Sequence, residues 1–342
     1  DQGLSDSDVY GIVQDRSGLL WVGTENGLNL YDGYQFTVFN HDPFNPNTPS
    51  EKSLSSLILD GKGHLWFGTW GGGLNRLDPG TLRFSHYRHD PGNPRSISDD
   101  RVQTVIWSRT GHVWAGTFSG GLNRLDPRSG RSDRYRHDPA RADSLSNDRV
   151  WAVLEDRQGR IWVGTDDGLN LLLNPDRGIF RRFPAPAGAA DETRRDQVRC
   201  LAQDRRGTIW VGTPGALDWM NPQTFQRGPQ ALPEAFRPTR PNCSFEDNFG
   251  ALWIGTVNGL SRYRNGQFTT WTTRDGLAGN VVLGLEEDSV GALWVATNTG
   301  LSRGRDGAFE TMGLEAGISN RYVAAVASER AGSVWVSVSG LG

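Results

Sequence analysis

Cysteine, lysine and methionine are nearly absent from these 342 residues: each occurs twice, the lysines being Lys52 and Lys62. Two cysteines cannot staple a chain of this length, and they indicate no redox compartment. No apolar run approaches the roughly 20 residues of a membrane span, and no signal-peptide pattern is visible in this segment. No stretch sustains a helical period, which argues against a helix-rich fold. Excess positive charge is missing too. Lys and Arg total 36 against 39 Asp and Glu, a formal net charge of −3, and no basic stripe stands out, so the pattern of a nucleic-acid binder is lacking. Almost all the basic residues are arginine, which reads as genome base composition.

Glycine (44) and tryptophan (13) are abundant instead, and they recur in order. The phrase "HLWFGTWGGGLNRLDP" (64–79) returns as "HVWAGTFSGGLNRLDP" (112–127). Aligned on tryptophan, eight copies appear, at Trp21, Trp66, Trp114, Trp162, Trp210, Trp253, Trp294 and Trp335, spaced by 45, 48, 48, 48, 43, 41 and 41 residues. The last copies decay from Gly-Thr to Ala-Thr and Ser-Val.

Each copy contains four short strand-like pieces bounded by Gly, Asn and Asp. In the first copy these are "VYGIVQD", "LLWVGT", "GLNLYD" and "QFTVF". Asp-x-x-Gly separates the first two pieces in most copies, from Asp15–Gly18 to Asp288–Gly291, with Ser108 and Glu329 replacing the aspartate in copies three and eight. A glycine closing so short a turn can take the left-handed conformation that a bulged hairpin needs. Each copy is therefore expected to form a four-stranded antiparallel meander. Such a unit cannot bury both faces alone, whereas radial stacking buries them against neighbours.

The expected fold is all-β: a seven-bladed β-propeller of four-stranded blades, with eight blades as the alternative. Residues 1–312 would form the seven-repeat propeller. Residues 313–342 would be a partial eighth repeat, either closing strands or the start of a second propeller. The tryptophan is read as a wedge between blades, and the Gly-Thr and Gly-Leu pairs as turn and close-packing chemistry. Four residues before the turn aspartate, or its equivalent, stand Gly11, Ser56, Thr104, Ala152, Cys200, Cys243, Gly284 and Ala325. All are small, as expected for innermost strands where blades converge. Both cysteines are accounted for as members of this set.

In this geometry the Asp-x-x-Gly turns occupy one face, and the longer, variable loops gather on the other, where function tends to lie. Three loops open with His-Asp-Pro, at His41, His89 and His137. They sit on separate blades at the outer radius, too far apart for one ion with ligands at about 2 Å, so no metal site is expected. No nucleophilic set and no phosphate-cradling loop is legible, and no cofactor is implied.

Where the loops reach the inner strands the side chains are large and polar or aromatic: Tyr10, Arg101, Gln103, Arg149, Trp151, Gln197, Arg199, Arg240, Asn242, Arg321 and Tyr322. Trp70 and Phe118 stand on neighbouring loops. Arginines beside aromatic rings around a central depression suit an anionic or sugar-like ligand. The alternative is that several of these arginines pair with Asp99, Asp100 and Asp148.

"GLSDSDVYGIVQDRSGLLWVGTENGLNLYDGYQF" (3–36) and "SLSNDRVWAVLEDRQGRIWVGTDDGLN" (144–170) resemble the two-component regulator propeller repeat. The resemblance implies the periplasmic sensor region of a dimeric bacterial receptor, with a hybrid histidine kinase or a diguanylate cyclase as output and a polysaccharide fragment as stimulus in several members. It implies no catalysis, no nucleic acid and no membrane contact by this segment. Two other readings stay open. One is a protein-interaction or dimerisation scaffold. The other is a propeller-type lyase, which would need an acid/base pair at the channel mouth; none of the six histidines falls on an inner strand.

Overall fold

A computed structural model describes residues 5, 9–15, 17, 19–32, 36–185, 196–214, 216–230, 241–287, 291–305, 307–312, 323–328 and 334–338. They form seven four-stranded antiparallel sheets, each a meander whose strands pair in chain order. These are the blades of a β-propeller, spanning residues 9–39, 54–87, 102–135, 150–183, 200–229, 241–271 and 282–312. The first strand of each blade is innermost, and inner strands of consecutive blades touch around the ring. A further two-stranded antiparallel sheet pairs Val323–Ser328 with Val334–Val338. Its first strand lies against the inner strands of both blade 7 and blade 1. The one helical element among the described residues is a three-residue turn, Thr273–Asp275.

The repeated tryptophan does seal the blade interfaces. Trp66 packs with Val102, Val105 and Val113 of the next blade, Trp162 with Val198, Ile209 and Val211, and Trp253 with Val282, Leu293 and Val295. Its polar end is satisfied within its own blade. The indole Nε1 donates to the turn aspartate in Trp21–Asp15, Trp66–Asp60, Trp162–Asp156, Trp210–Asp204 and Trp253–Asp247, at 2.8–3.1 Å. The same carboxylates accept backbone amides of the turn, as Asp156 does from Gln158 and Arg160. Burial alone would raise the pKa of Asp156; the bonds from Trp162 and Arg160 outweigh it and hold the group below the usual carboxylate range. Asp60 behaves likewise. In blade 3, where Ser108 replaces the aspartate, Trp114 Nε1 is buried with no hydrogen-bond partner among the described residues.

Close packing explains the glycines. The small residues of the inner strands pair across the sheet with small residues of the second strand: Ser56 with Gly68, Thr104 with Gly116, Ala152 with Gly164, Cys200 with Gly212 and Cys243 with Gly255. A Cβ on Gly116 would lie 2.5 Å from Val150 of blade 4, and one on Gly164 would lie 2.6 Å from Val198 of blade 5. The turn glycines take the left-handed conformation expected of them, as at Gly159 with φ of 79°.

Blades 1–4 also carry a buried asparagine latch. Asn29, Asn75, Asn123 and Asn170 each accept a backbone amide and donate to a hydroxyl of one serine in the incoming loop: Ser5, Ser50, Ser98 and Ser146. The Asn of "GLN" was legible as a repeat, but its bond to a serine about 25 residues earlier was not.

Candidate functional site

On the face opposite the Asp-x-x-Gly turns, each second-to-third strand loop closes on a threonine. Thr117 Oγ1 donates to the Gly121 carbonyl and accepts the Gly120 amide; Thr69 does the same with Gly73 and Gly72. The residue after the threonine is then bonded to the foot of the inner strand: the Trp70 amide to Ser53, the Phe118 amide to Arg101 and the Asp166 amide to Arg149. Large side chains from neighbouring blades thus meet on one rim.

Six of the expected residues form a continuous stack across blades 2–5. Trp70 meets Phe118 edge-on at 6.1 Å, and Phe118 meets Trp151 at 6.4 Å. The guanidinium of Arg101 lies 4.6 Å from the Phe118 ring centre and that of Arg149 lies 4.1 Å from it. Arg199 lies 3.6 Å from the Trp151 ring. Arginine and aromatic planes therefore alternate: Arg101, Phe118, Arg149, Trp151, Arg199. Each such cation–π contact contributes about 0.5–1 kcal/mol at exposed sites. Trp70 remains 41% exposed, an unusual cost for the largest apolar side chain unless the surface is used.

Carboxylates fix this stack. Asp166 accepts the Trp151 indole at 2.6 Å and pairs with Arg149 at 3.2 Å. Asp99 pairs with Arg101 at 3.3 Å and accepts the Ser119 hydroxyl. Of the three expected carboxylate partners only Asp99 meets a rim arginine. Asp100 accepts the His89 amide instead, and Asp148 accepts the His137 amide and pairs with Arg136. Asp166 was missed in the sequence, although it stands where Trp70 and Phe118 stand in the two preceding copies. Gln197 accepts from Arg199 at 3.1 Å. Gln103 Nε2 is buried without a hydrogen-bond partner among the described residues. Tyr10 and Asn242 lie on the inner strands of blades 1 and 6. Arg240, Arg321 and Tyr322 lie outside the described residues.

The His-Asp-Pro loops run along the outer strands as straps. The imidazole Nδ1 of His41, His89 and His137 is bonded to the carbonyl eight residues on, of Pro49, Ile97 and Leu145, at 2.7–2.9 Å. The following aspartate accepts the amide two residues later, a turn in each case. Each strap is then gripped by the outer strand of the next blade. His86 bonds to Thr48 O, Arg134 to Ser96 O and Arg182 to Ser144 O.

Among solved structures, the fold is similar to extracellular domains from B. thetaiotaomicron. One, described as from a hybrid two component system, has a TM-score of 0.65 at 22% identity, covering 98% of this chain and 51% of that one. Another, described as from a one component system, matches equally, with 50% of its length covered. The chain thus spans about half the length of these domains. Virginiamycin B lyase from Staphylococcus aureus is also similar, with a TM-score of 0.62 at 14% identity over 87% of this chain and 94% of the lyase. Identities this low show a shared fold alone. A curated relative, Histidine kinase P4 of Formosa agariphila, is 51% identical over 41 residues, which is 12% of this chain and 3% of the kinase. The two component regulator propeller model matches residues 3–26, 144–167, 194–215 and 276–299. Those four stretches therefore match the repeat of the two component regulator propeller family.

Proposed function

We propose that this propeller is the extracytoplasmic, periplasmic sensory domain of a bacterial signal-transduction receptor, and that its loop-face rim binds a carbohydrate or another small polar or anionic ligand. The observation that carries the reading is the Arg–aromatic stack over blades 2–5, a preorganised surface with ring faces for stacking and guanidinium groups for forked bonds. The family repeat and the similarity to extracellular domains support the sensory assignment. In the full-length receptor, a dimer with a histidine kinase or diguanylate cyclase output, the ligand would act through different affinities for two receptor arrangements. The strands Val323–Ser328 and Val334–Val338 would serve to close this ring.

The segment itself would do no catalysis. All six histidines are engaged in the straps, at strand starts or on an outer strand, and none joins the rim. The lyase reading is the alternative, favoured only by shared fold. Turnover of lactone or uronate substrates, abolished by one rim substitution, would establish it.

The test is a thermal-shift screen with galacturonate oligomers, citrate and neutral oligosaccharides, followed by the Arg149→Ala/Trp151→Ala double variant. A ligand selective for the folded chain raises its melting temperature. The expected result is a shift that the folded double variant loses; an undiminished shift discards the rim.

A further inference from the structure

A second feature lies away from the rim, at the outer edge between blades 3 and 4. A cavity of about 560 Å³ opens there, within the range of small-ligand sites. Its walls come from the second and third straps, the third and outer strands of blade 3, and the hairpin between the third and outer strands of blade 4. Tyr135 and Phe180 are buried beneath it. The Tyr135 hydroxyl donates to Pro175 O at 2.9 Å, tying the blade-4 loop to blade 3.

Six arginines line this cavity: Arg95, Arg124, Arg134, Arg136, Arg141 and Arg177. Only two carboxylates do, Asp133 and Asp176. Asp133 is shared by Arg95 and Arg124. Asp143 and Asp148 reach Arg141 and Arg136 from outside the lining, and the arginines still exceed the carboxylates. Arg134 spends its donors on the uncharged carbonyls of Asn93 and Ser96, at 2.7 Å each, and on the Ser96 hydroxyl; the charge of Asp90 acts on it without a direct ion pair among the described residues. Burial first, and then the charge of Arg136, depress its pKa against the opposing charge of Asp90, so a further anion beside it would favour its charged form. Arg177 is exposed and has no ion-pair partner among the described residues. All of this stands on a chain whose formal net charge is −3, so overall composition does not explain it.

We propose that this cavity is a second ligand site, for a small polyvalent oxyanion carrying two or more carboxylate, sulfate or phosphate groups. Guanidinium forks match each of these groups through paired charge-assisted bonds. Several forks around one space favour a ligand with several anionic groups over a single carboxylate. The site uses no rim residue and stands or falls independently of the rim.

The test is calorimetric titration of the whole chain with tripolyphosphate, citrate and a sulfated disaccharide, with maltose as the neutral control, at low and high salt. At least one oxyanion should bind, more weakly at high salt, and should lose affinity in the cavity variants below, whereas any maltose binding should be the same in those variants. Which probe binds tightest separates a phosphate, an organic-acid and a sugar source. Arg95→Gln combined with Arg177→Gln, both on exposed side chains, should weaken binding about tenfold or more. Arg177→Glu alone should weaken it in the same direction. No binding of any oxyanion at millimolar concentration, an equal loss of maltose binding in the cavity variants, or full affinity for every oxyanion in both variants would overturn the proposal.

Discussion

Blades 2–4 and blades 5–7 share one architecture and differ in nearly everything attached to it. In both groups the tryptophan packs against the next blade and the small residues pair across the inner sheet. The strap and the latch differ. Blades 2–4 have His-Asp-Pro straps and the Asn–Ser latch. In blade 5 the asparagine position is Asp218, which forms a buried ion pair with Arg227 at 2.8 Å, while Arg227 also holds the carbonyls of Phe183 and Pro184. In blade 6 it is Ser261, bonded to Thr270, and in blade 7 Ser302, which accepts the Ala278 amide. Ring closure constrains what touches the neighbouring blade. It leaves free how each incoming loop is pinned. The Arg–aromatic stack and the arginine-lined cavity both draw mainly on the strapped side.

The comparison can be broken at three levels. The largest effect is expected at the shared layer. Trp162→Ala and Trp253→Ala should each cost roughly 3–5 kcal/mol, read by chemical denaturation. A much smaller loss at Trp253 would mean that the two halves of the ring are not held alike.

The latch should give an unequal pair. Asn170→Ala removes bonds to both the amide and the hydroxyl of Ser146; the hydroxyl keeps Thr165 but the buried amide loses its acceptor, at a cost of about 1–3 kcal/mol. Ser302→Ala removes one acceptor and should cost less. Hydrogen exchange should show faster opening of residues 144–150 in the first variant. Equal costs would remove the distinction between the two groups of blades.

The smallest effect is a gain. Ser108→Asp supplies the acceptor that Trp114 lacks and should stabilise the chain by about 1 kcal/mol at neutral pH. Asp60 and Asp156, in the matching turns, have lowered pKa values. A carboxylate lowered on folding stabilises above its unfolded pKa near 4, and that contribution is lost as pH falls through the folded value. The gain of Ser108→Asp should therefore begin to fall below about pH 4 and be gone once the pH is below the lowered folded value. A gain that persists in acid would show that the aspartate acts by something other than its charge-assisted bond.

Period and composition were enough to read the architecture, because each blade interface repeats the same tryptophan, glycine and small-residue positions. The rim was legible as a set. The feet of the inner strands converge in any propeller, and Arg101, Phe118, Arg149, Trp151 and Arg199 are too large and polar for core. What fixes them was not legible, since Asp166 meets Trp151 and Ser119 meets Asp99 only when the second-to-third strand loop folds back onto the foot of its own blade's inner strand. The arginine-lined cavity was hidden for the same reason. Arg95, Arg134 and Arg177 are scattered over about 80 residues, and none forms a run.

The straps have one more consequence. The last strand of a blade presents unpaired peptide groups outward, a template on which a foreign strand can add. In blades 3 and 4 this side is already occupied: the Ser132 amide donates to Arg95 O and the Phe180 amide to Asp143 O, both at 2.7 Å. Strand addition from another chain is blocked at those amides, and association by that route must begin elsewhere on the perimeter.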